Sequence, residues 1–528
     1  MSNIKVFVAD DVNEEKLAPL FEAGFEVVKK TKLAPEQLAA EIKNADGVIV
    51  RSATKITADL MDKAEKLRVI GRAGVGVDNI DVKAATTRGI VVMNAPDGNT
   101  ITTAEHTIAL LVSMARNVPQ AHHVLQSGKW DKKSFVGVEL NGNILGVIGI
   151  GRIGRHVAQI AKGFGMKILA FDPFVSEDQA KDFGFELGSL DEVFSKADFL
   201  TVHTPVTDET RNIIGADAFA KMKKGVRIVN CARGGLVDES ALLAAIENGV
   251  VAAAALDVYA TEPLPDDSPL LNNPKIITTP HLGASTTEAQ EGVALTVAEQ
   301  MRDFLISGEL RNAVNAPSLA AKDLEAFQPF IELGEKLGRF QAQIMNENPI
   351  AAVTIEYAGE LAEKAAAPVT RAFLAGLLKD VSARVNVVNA LHIADERGIK
   401  ITTSYTKTKR SNYDLRTIVF SSNAEQTASG MVFANGEGRI TEIGNFAIEV
   451  VPSGFMLLTK NKDVPGVIGK IGTLLGEANV NISRFYLGRE AKGGEALAII
   501  EIDSPLEEKV LTDLRNLEAV NVARQVKL

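Results

Sequence analysis

Cysteine is nearly missing from this chain, with one, Cys231, among 528 residues. A lone thiol cannot close an internal disulfide, so a reducing, cytoplasmic setting is expected. Positive charge is in deficit too. Lysine and arginine number 57 against 67 aspartates and glutamates, a net charge of −10. Such a chain has no long-range attraction for nucleic acid or an anionic membrane, and neither is expected as a partner. An anionic substrate would have to be gripped by local arginines against the global field. No uninterrupted apolar run approaches about 18 residues, so no membrane span is expected. The opening MSNIKVFVAD alternates as a strand does and lacks a basic region followed by an apolar stretch, which speaks against a signal peptide.

What is present is an ordinary globular composition, 46% hydrophobic and 23% charged, which excludes wholesale disorder. The length suggests three or four domains of roughly 100–200 residues each. Up to about residue 310, short β-branched runs (4–9, 47–50, 69–72, 90–93) alternate with helical patterns. That alternation predicts parallel sheets covered by helices on both faces. A helix over 102–116 is long enough to bridge two domains. From 144 the pattern resumes as strand, glycine turn, helix and strand, with further buried strands at 199–202, 226–229, 251–256 and 275–279. A helix over 287–306 is expected to pack back on the first domain.

The expected division is therefore discontinuous: 1–98 with 286–316, around an inserted 99–285. Residues 318–322 read as a linker. Mixed helix and strand follow over 317–452, with a glycine-rich stretch at 435–438 and no catalytic constellation. The tail, 453–528, reads βαββαβ, with strands at 455–459, 480–487, 496–502 and 520–526 and helices at 466–477 and 506–515. That is the ferredoxin-like order.

Gly149-x-Gly151-x-x-Gly154 follows the apolar run 144–150 and opens a helix at Ile153. The first glycine permits the tight turn, the second lets a pyrophosphate approach the backbone, and the third lets helix and strand pack closely. Alone, such a motif is about as well explained by a structural turn. Here the next strand ends in Asp172, placed to accept ribose hydroxyls and repel a 2′-phosphate, and no lysine or arginine follows until Lys181. NAD is favoured over NADP.

Three polar groups follow successive buried strands: Arg233, then Glu262 (after Asp257), then His281. Strand carboxyl ends line the ligand crevice of open α/β sheets. A histidine held by a carboxylate suits removal of a hydroxyl proton as a hydride leaves, and an arginine beside it can clamp a substrate carboxylate. Singly, each has a plain structural reading. Together on one crevice they point to chemistry.

The segments 149–154, 230–239, 257–263 and 280–285 resemble the signatures of the D-2-hydroxyacid dehydrogenases. The resemblance implies an α/β fold with a flavodoxin-like substrate domain, an inserted Rossmann NAD domain, an intervening α+β domain and a ferredoxin-like (ACT) tail. It implies that His281 is the acid/base, Glu262 its partner and Arg233 the substrate clamp. It places Asp257 and Thr204 at the nicotinamide end and Arg152 and Cys231 along the cofactor, with Ile153 and Gly283 in the same set. For Cys231 a small buried residue is the stronger reading.

Arg51 and Arg72, at strand ends, suit a doubly charged phosphate; ordinary surface arginines are the alternative. The resemblance around 71–79 and 94–103 supports the phosphate, with Asn99 and Thr100 positioning the substrate and Lys132 or Lys133 reaching in from a neighbouring subunit. It implies oxidation of 3-phospho-D-glycerate to 3-phosphooxypyruvate, the first step of L-serine synthesis. Other 2-hydroxy acids, such as glycerate or 2-hydroxyglutarate, and a dinucleotide-sensing corepressor are the rivals. The tail is similar to ACT domains, which pair side to side. Asn461, Asp463 and Asn481 are the residues expected to meet L-serine, and a purely structural dimerisation domain is the alternative. Arg439 with Lys407, Lys409 and Arg410 reads as a solvated charged face more readily than as an anion site. A homo-oligomer, a tetramer overall, is expected.

Overall fold

A computed structural model describes residues 4–317, 321–345, 349–379, 385–421 and 424–528. The first sheet contains β1 (Lys5–Val8), β2 (Glu26–Lys29), β3 (Gly47–Val50), β4 (Val69–Arg72) and β5 (Val91–Asn94), in the order β2-β1-β3-β4-β5. Every pairing is parallel, the flavodoxin-like arrangement. Parallel strands are buried on both faces, and β3 shows it: Val48 and Val50 enter one core, Ile49 the other. The Thr287–Ser307 helix does pack back on this sheet, setting Val297 and Met301 over β3 and β4. Glycines make room for it. A Cβ at Gly71 would lie 2.5 Å from Val297 Cγ1, and one at Gly47 2.8 Å from Met301 Sδ. Thr286 caps that helix through the Ala289 N–H, and Gly308, at φ 79°, ends it.

The second sheet contains β6 (Ile144–Ile148), β7 (Lys167–Phe171), β8 (Glu186–Leu187), β9 (Phe199–Val202), β10 (Val226–Asn230), β11 (Val251–Leu256) and β12 (Ile276–Thr278). Its order is β12-β11-β10-β9-β6-β7-β8, all parallel, the doubly wound pattern in which the direction of strand addition switches between β6 and β9. The bridging helix is Thr100–Ala115, and its Ile108, Leu111 and Met114 share a core with Leu145 and Val147 of β6.

A third sheet, order β14-β13-β15-β16-β17-β18, contains β13 (Ile350–Ala358), β14 (Lys400–Thr406), β15 (Leu415–Ser421), β16 (Ala424–Val432), β17 (Gly438–Ile443) and β18 (Phe446–Val450). It is covered by the helices Ala321–Ile344 and Ala366–Leu377, which approach so closely that a Cβ at Gly338 would lie 2.0 Å from the Phe373 carbonyl oxygen. Of the expected linker, 318–320 lies outside the described residues, and Ala321 already opens the first of these helices.

The tail forms the ferredoxin-like sheet β20-β21-β19-β22 from β19 (Phe455–Lys462), β20 (Ile482–Arg489), β21 (Glu495–Ile502) and β22 (Val520–Lys527). One face carries the helices Val467–Glu477 and Glu508–Arg515. Its other face is not open: Met456, Leu458, Leu497, Ile499 and Val526 enter the same core as Leu337 and Phe340 of the Ala321–Ile344 helix. At roughly 1.5–3 kcal/mol for each fully buried side chain, this packing joins the two regions strongly.

Candidate active site at the sheet crevice

Each glycine of the loop after β6 answers a different constraint. Gly149 stands at φ +87°, where a Cβ would also meet Thr204 Cγ2 at 2.8 Å. Gly151 faces open space, the side from which a ligand's phosphates can reach the backbone. A Cβ at Gly154 would lie 2.0 Å from the Gly149 carbonyl oxygen, so only glycine lets the helix approach. No side chain caps the Arg152–Gly163 helix, whose N–H groups and positive dipole end point at the crevice. Ile153 lies in its first turn, half-buried against the core. Asp172 holds the loop by accepting from Ile150 N–H at 2.9 Å with one oxygen and from Phe174 N–H at 2.9 Å with the other. The Thr204 hydroxyl at the end of β9 is buried without a hydrogen-bond partner. These features fit a dinucleotide: a glycine cradle, an open helix terminus, an acid at the next strand end and an unmet donor. Arg152 reaches across instead, 2.9 Å from Asp97 of the first lobe.

His281 Nδ1 lies 2.6 Å from Glu262 Oε2, and Glu262 Oε1 accepts from Tyr259 N–H at 3.0 Å. The Glu262 hydrogen bond raises the His281 pKa above its ordinary value, outweighing the opposing desolvation. Burial works against the Glu262 charge, yet bonds from His281 and the Tyr259 amide hold its carboxyl below the usual range. His281 itself has φ 56°, an uncommon conformation for a residue with a side chain. Asp257 explains how it is held. Fully buried, this carboxylate accepts from Thr279 Oγ at 2.6 Å, Leu282 N–H at 2.8 Å and Gly283 N–H at 2.8 Å. His106 Nε2, on the bridging helix, is 3.2 Å away. Burial opposes the charge, but His106 and these donors pull the Asp257 carboxyl below its usual range. Asp257 and Gly283 thus organise the turn that presents His281, and the Asp257 carboxylate is largely spent on that turn. Cys231 has the bland outcome: its side chain is in the core, and burial pushes the thiol up to about 12, far from a reactive thiolate.

Three arginines face this pair. Arg72, last in β4, is brought down to about 10 by burial first and then by repulsion from Arg233 and Arg51. Its Nε has no hydrogen-bond partner. Glycines clear their space: a Cβ at Gly76 would lie 2.3 Å from Arg233 Nη2. Arg233 is anchored through Nη1 to the Ala232 carbonyl at 2.7 Å, and its Nε is 3.3 Å from Asp78. Arg51 donates to the Asp11 carbonyl at 3.0 Å, so it is partly committed within its own lobe. Asn99 Oδ1 and Thr100 Oγ, at the start of the bridging helix, are buried and unpartnered. A cluster of cations, some desolvated, beside unmet polar atoms is prepared for an anionic, hydroxyl-bearing ligand.

Lys132 is exposed on a separate surface, beside Trp130 (87% exposed) and Val136 (82%), and no hydrogen bond or ion pair among the described residues ties it to the cleft. The residues expected to meet L-serine do not converge within one chain. Asn461 is buried and donates to the Lys462 carbonyl at 2.8 Å; Asp463 accepts from Gly493 N–H at 3.1 Å. Asn481 donates to Asp503 at 2.8 Å, beyond the far end of β21. Register puts Asn461 opposite Ala496, so the two ends stand roughly 20 Å apart at a strand's rise. Arg439 is no free cation either, being paired with Glu437 and Glu449 and stacked on Phe433. Sequence reasoning passed over Asp78, His106 and Tyr259, whose hydroxyl donates to the Thr279 carbonyl at 2.9 Å. Asp78 lay inside a segment already singled out; nothing local marks His106.

Comparison with known proteins agrees across the chain. Residues 108–283 match the model of the D-isomer specific 2-hydroxyacid dehydrogenase NAD binding domain. Residues 326–444 match the D-3-phosphoglycerate dehydrogenase intervening domain, and 455–519 the ACT domain. The chain is 42% identical over 528 residues to a D-3-phosphoglycerate dehydrogenase of Bacillus subtilis, covering 99% of each. It is 44% identical over 529 residues to one of Archaeoglobus fulgidus, covering 99% of this chain and 100% of the relative. Among solved structures, the TT0316 protein of Thermus thermophilus superposes with TM-score 0.55 at 34% identity, over 59% of this chain and 100% of that one. The Aquifex aeolicus D-lactate dehydrogenase complexed with NAD and lactic acid gives 0.51 at 29%, over 60% and 100%.

Proposed function

Because this chain belongs to the D-3-phosphoglycerate dehydrogenase family, within the D-isomer specific 2-hydroxyacid dehydrogenases, we propose that it oxidises 3-phospho-D-glycerate to 3-phosphooxypyruvate. The observation that carries the reading is the His281–Glu262 pair at 2.6 Å facing the Arg72, Arg233 and Arg51 cluster. Bound NAD supplies the acceptor for the C2 hydride. With Nδ1–H donated to Glu262, the neutral His281 imidazole leaves the Nε2 lone pair to take the C2 hydroxyl proton, and the carboxylate stabilises the imidazolium that forms. In reduction the same proton returns to the carbonyl oxygen. Arg233 holds the substrate carboxylate and polarises the C2–oxygen bond; Arg72, with Arg51, takes the phosphate. Asn99 and Thr100 supply the unmet hydrogen bonds. Asp172 disfavours a 2′-phosphate.

The lobes assign as 1–98 with 286–316 for substrate, 99–285 for NAD, 317–452 as the intervening domain and 453–528 as the regulatory domain. L-Serine is the effector. Since Asn461 and Asp463 lie far from Asn481 in one chain, its site is completed between the tails of two chains. Self-association is supported by the exposed apolar side chains Val118, Leu125, Trp130 and Val136, and Lys132 shares that surface for delivery to a neighbouring cleft. The test is to follow NADH loss with 3-phosphooxypyruvate, with and without L-serine. Fast oxidation that serine suppresses is expected, with hydroxypyruvate a much poorer substrate. Bound NADH without turnover overturns the substrate, and turnover indifferent to serine overturns the effector.

A further inference from the structure

The substrate lobe has an ionic concavity at the end opposite its catalytic arginines. Arg51 and Arg72 stand at the carboxyl ends of β3 and β4. The loops entering β4 and β5, residues 63–68 and 88–90, lie at the amino ends, and there the intervening domain docks. Val388 is buried in the core of the first lobe, and Asn386 Nδ2 donates to the Gly89 carbonyl at 2.8 Å. The His392 ring contacts Thr87 Oγ at 3.2 Å. The seam does not close completely. It encloses a cavity of about 370 Å³ lined by both sides.

Its chemistry is lopsided. Among the described residues, Lys66, Arg68, Arg88 and Lys379 line it against a single carboxylate, Glu65, which lies 3.3 Å from Lys43. Arg88 is committed to Asp62 and to the Ala84 carbonyl. Lys66, Arg68 and Lys379 have no carboxylate partner among the described residues. The Arg68 guanidinium stacks 5.5 Å from the Phe304 ring centroid, which orders it without neutralising it. Three cations with no carboxylate partner among the described residues line one concavity, an unfavourable arrangement in a chain with ten surplus negative charges to draw on. Nothing in the proposed reaction uses them. Met61, Ile90 and Phe304 add apolar lining.

We propose that this seam is a second anion site, for a small polyanion with phosphate or carboxylate groups on a short carbon body, held by Lys66 and Arg68 from the substrate lobe and Lys379 from the intervening domain. The volume is too small for a dinucleotide and is ample for a metabolite of a few carbons. Drawing its cations from both domains, the ligand fastens one to the other. Arg68 enters β4 and Arg72 ends it, so occupancy here is separated from the substrate's phosphate clamp by one strand of roughly 13 Å.

The experiment is calorimetric titration of the full chain, saturated with NADH, with inorganic phosphate and separately with citrate. Arg51→Ala, Arg72→Ala and Arg233→Ala together remove the anion contacts of the catalytic cleft, and the anion binding left in that variant is read at the seam. Adding Lys66→Glu and Lys379→Glu should weaken that remaining binding at least about tenfold. Both lysines are exposed, so the fold should survive; Lys66→Ala with Arg68→Gln should weaken binding in the same direction with less charge reversal. Tighter binding of citrate than of phosphate identifies an organic polyanion, and the reverse identifies the phosphate group itself. Anion binding abolished by the cleft substitutions alone, or undiminished by the lysine substitutions, overturns the proposal.

Discussion

The catalytic cleft and the regulatory tail treat their polar groups in opposite ways. In the cleft Arg72 Nε, Asn99 Oδ1, Thr100 Oγ and Thr204 Oγ are buried and unmet, and three arginines repel one another. In the tail Asn461, Asp463 and Asn481 each have a hydrogen bond within their own chain. The first has its unmet groups set out in advance by the fold of one chain, ready for a ligand. The second, proposed as the effector site, stands satisfied alone, so a ligand there would exchange bonds already made. A preorganised site gives rate, and an exchangeable one gives a threshold.

Three substitutions probe that contrast. His281→Ala should lower kcat by about a thousandfold, within the usual range for a lost acid/base, while NADH affinity by fluorescence titration stays near that of the wild type. Unchanged turnover would remove His281 from the mechanism. Glu262→Gln should cost less, about tenfold in kcat, and move the pH profile. Glu262 raises the His281 pKa, and oxidation needs the neutral imidazole, so activity in that direction is lost as pH falls through the raised value. Without the carboxylate, the acid limb of kcat/KM should shift to lower pH. A stationary limb breaks the assignment. The smallest effect is in the tail: Asn481→Ala should leave the enzyme responding weakly or not at all to L-serine, read as the concentration giving half-maximal inhibition. An intact response would take Asn481 out of the effector site and leave the tail's contrast with the cleft unsupported.

What the sequence makes legible follows from the range of the forces involved. The glycine loop can be read directly because each glycine answers a constraint set by residues within one strand–turn–helix unit. Glu262 and His281 can be paired from a pattern because both follow strands that parallel pairing brings side by side. The edge strands β2 and β8 escape notice, being only half covered and therefore without an apolar run. His106 is invisible because its partner, Asp257, arrives from another element of the fold. Asp78 sits in a marked segment, yet its contact with Arg233 exists only once two lobes face each other. Asn461, Asp463 and Asn481 read as a set in the linear order of the tail, but strand register carries Asn481 to the opposite end from Asn461.

The common core beneath the tail sheet has a bearing on how a signal could move. Leu337 and Phe340 lie with Met456, Leu458 and Val526 in one apolar interior, so the stretch from 321 onward has no internal joint at residue 452. Under the proposed effector role, a change in the tail sheet passes to the Ala321–Ile344 helix beneath it, and through that body to the contacts that Asn386, Val388 and His392 make with the first lobe.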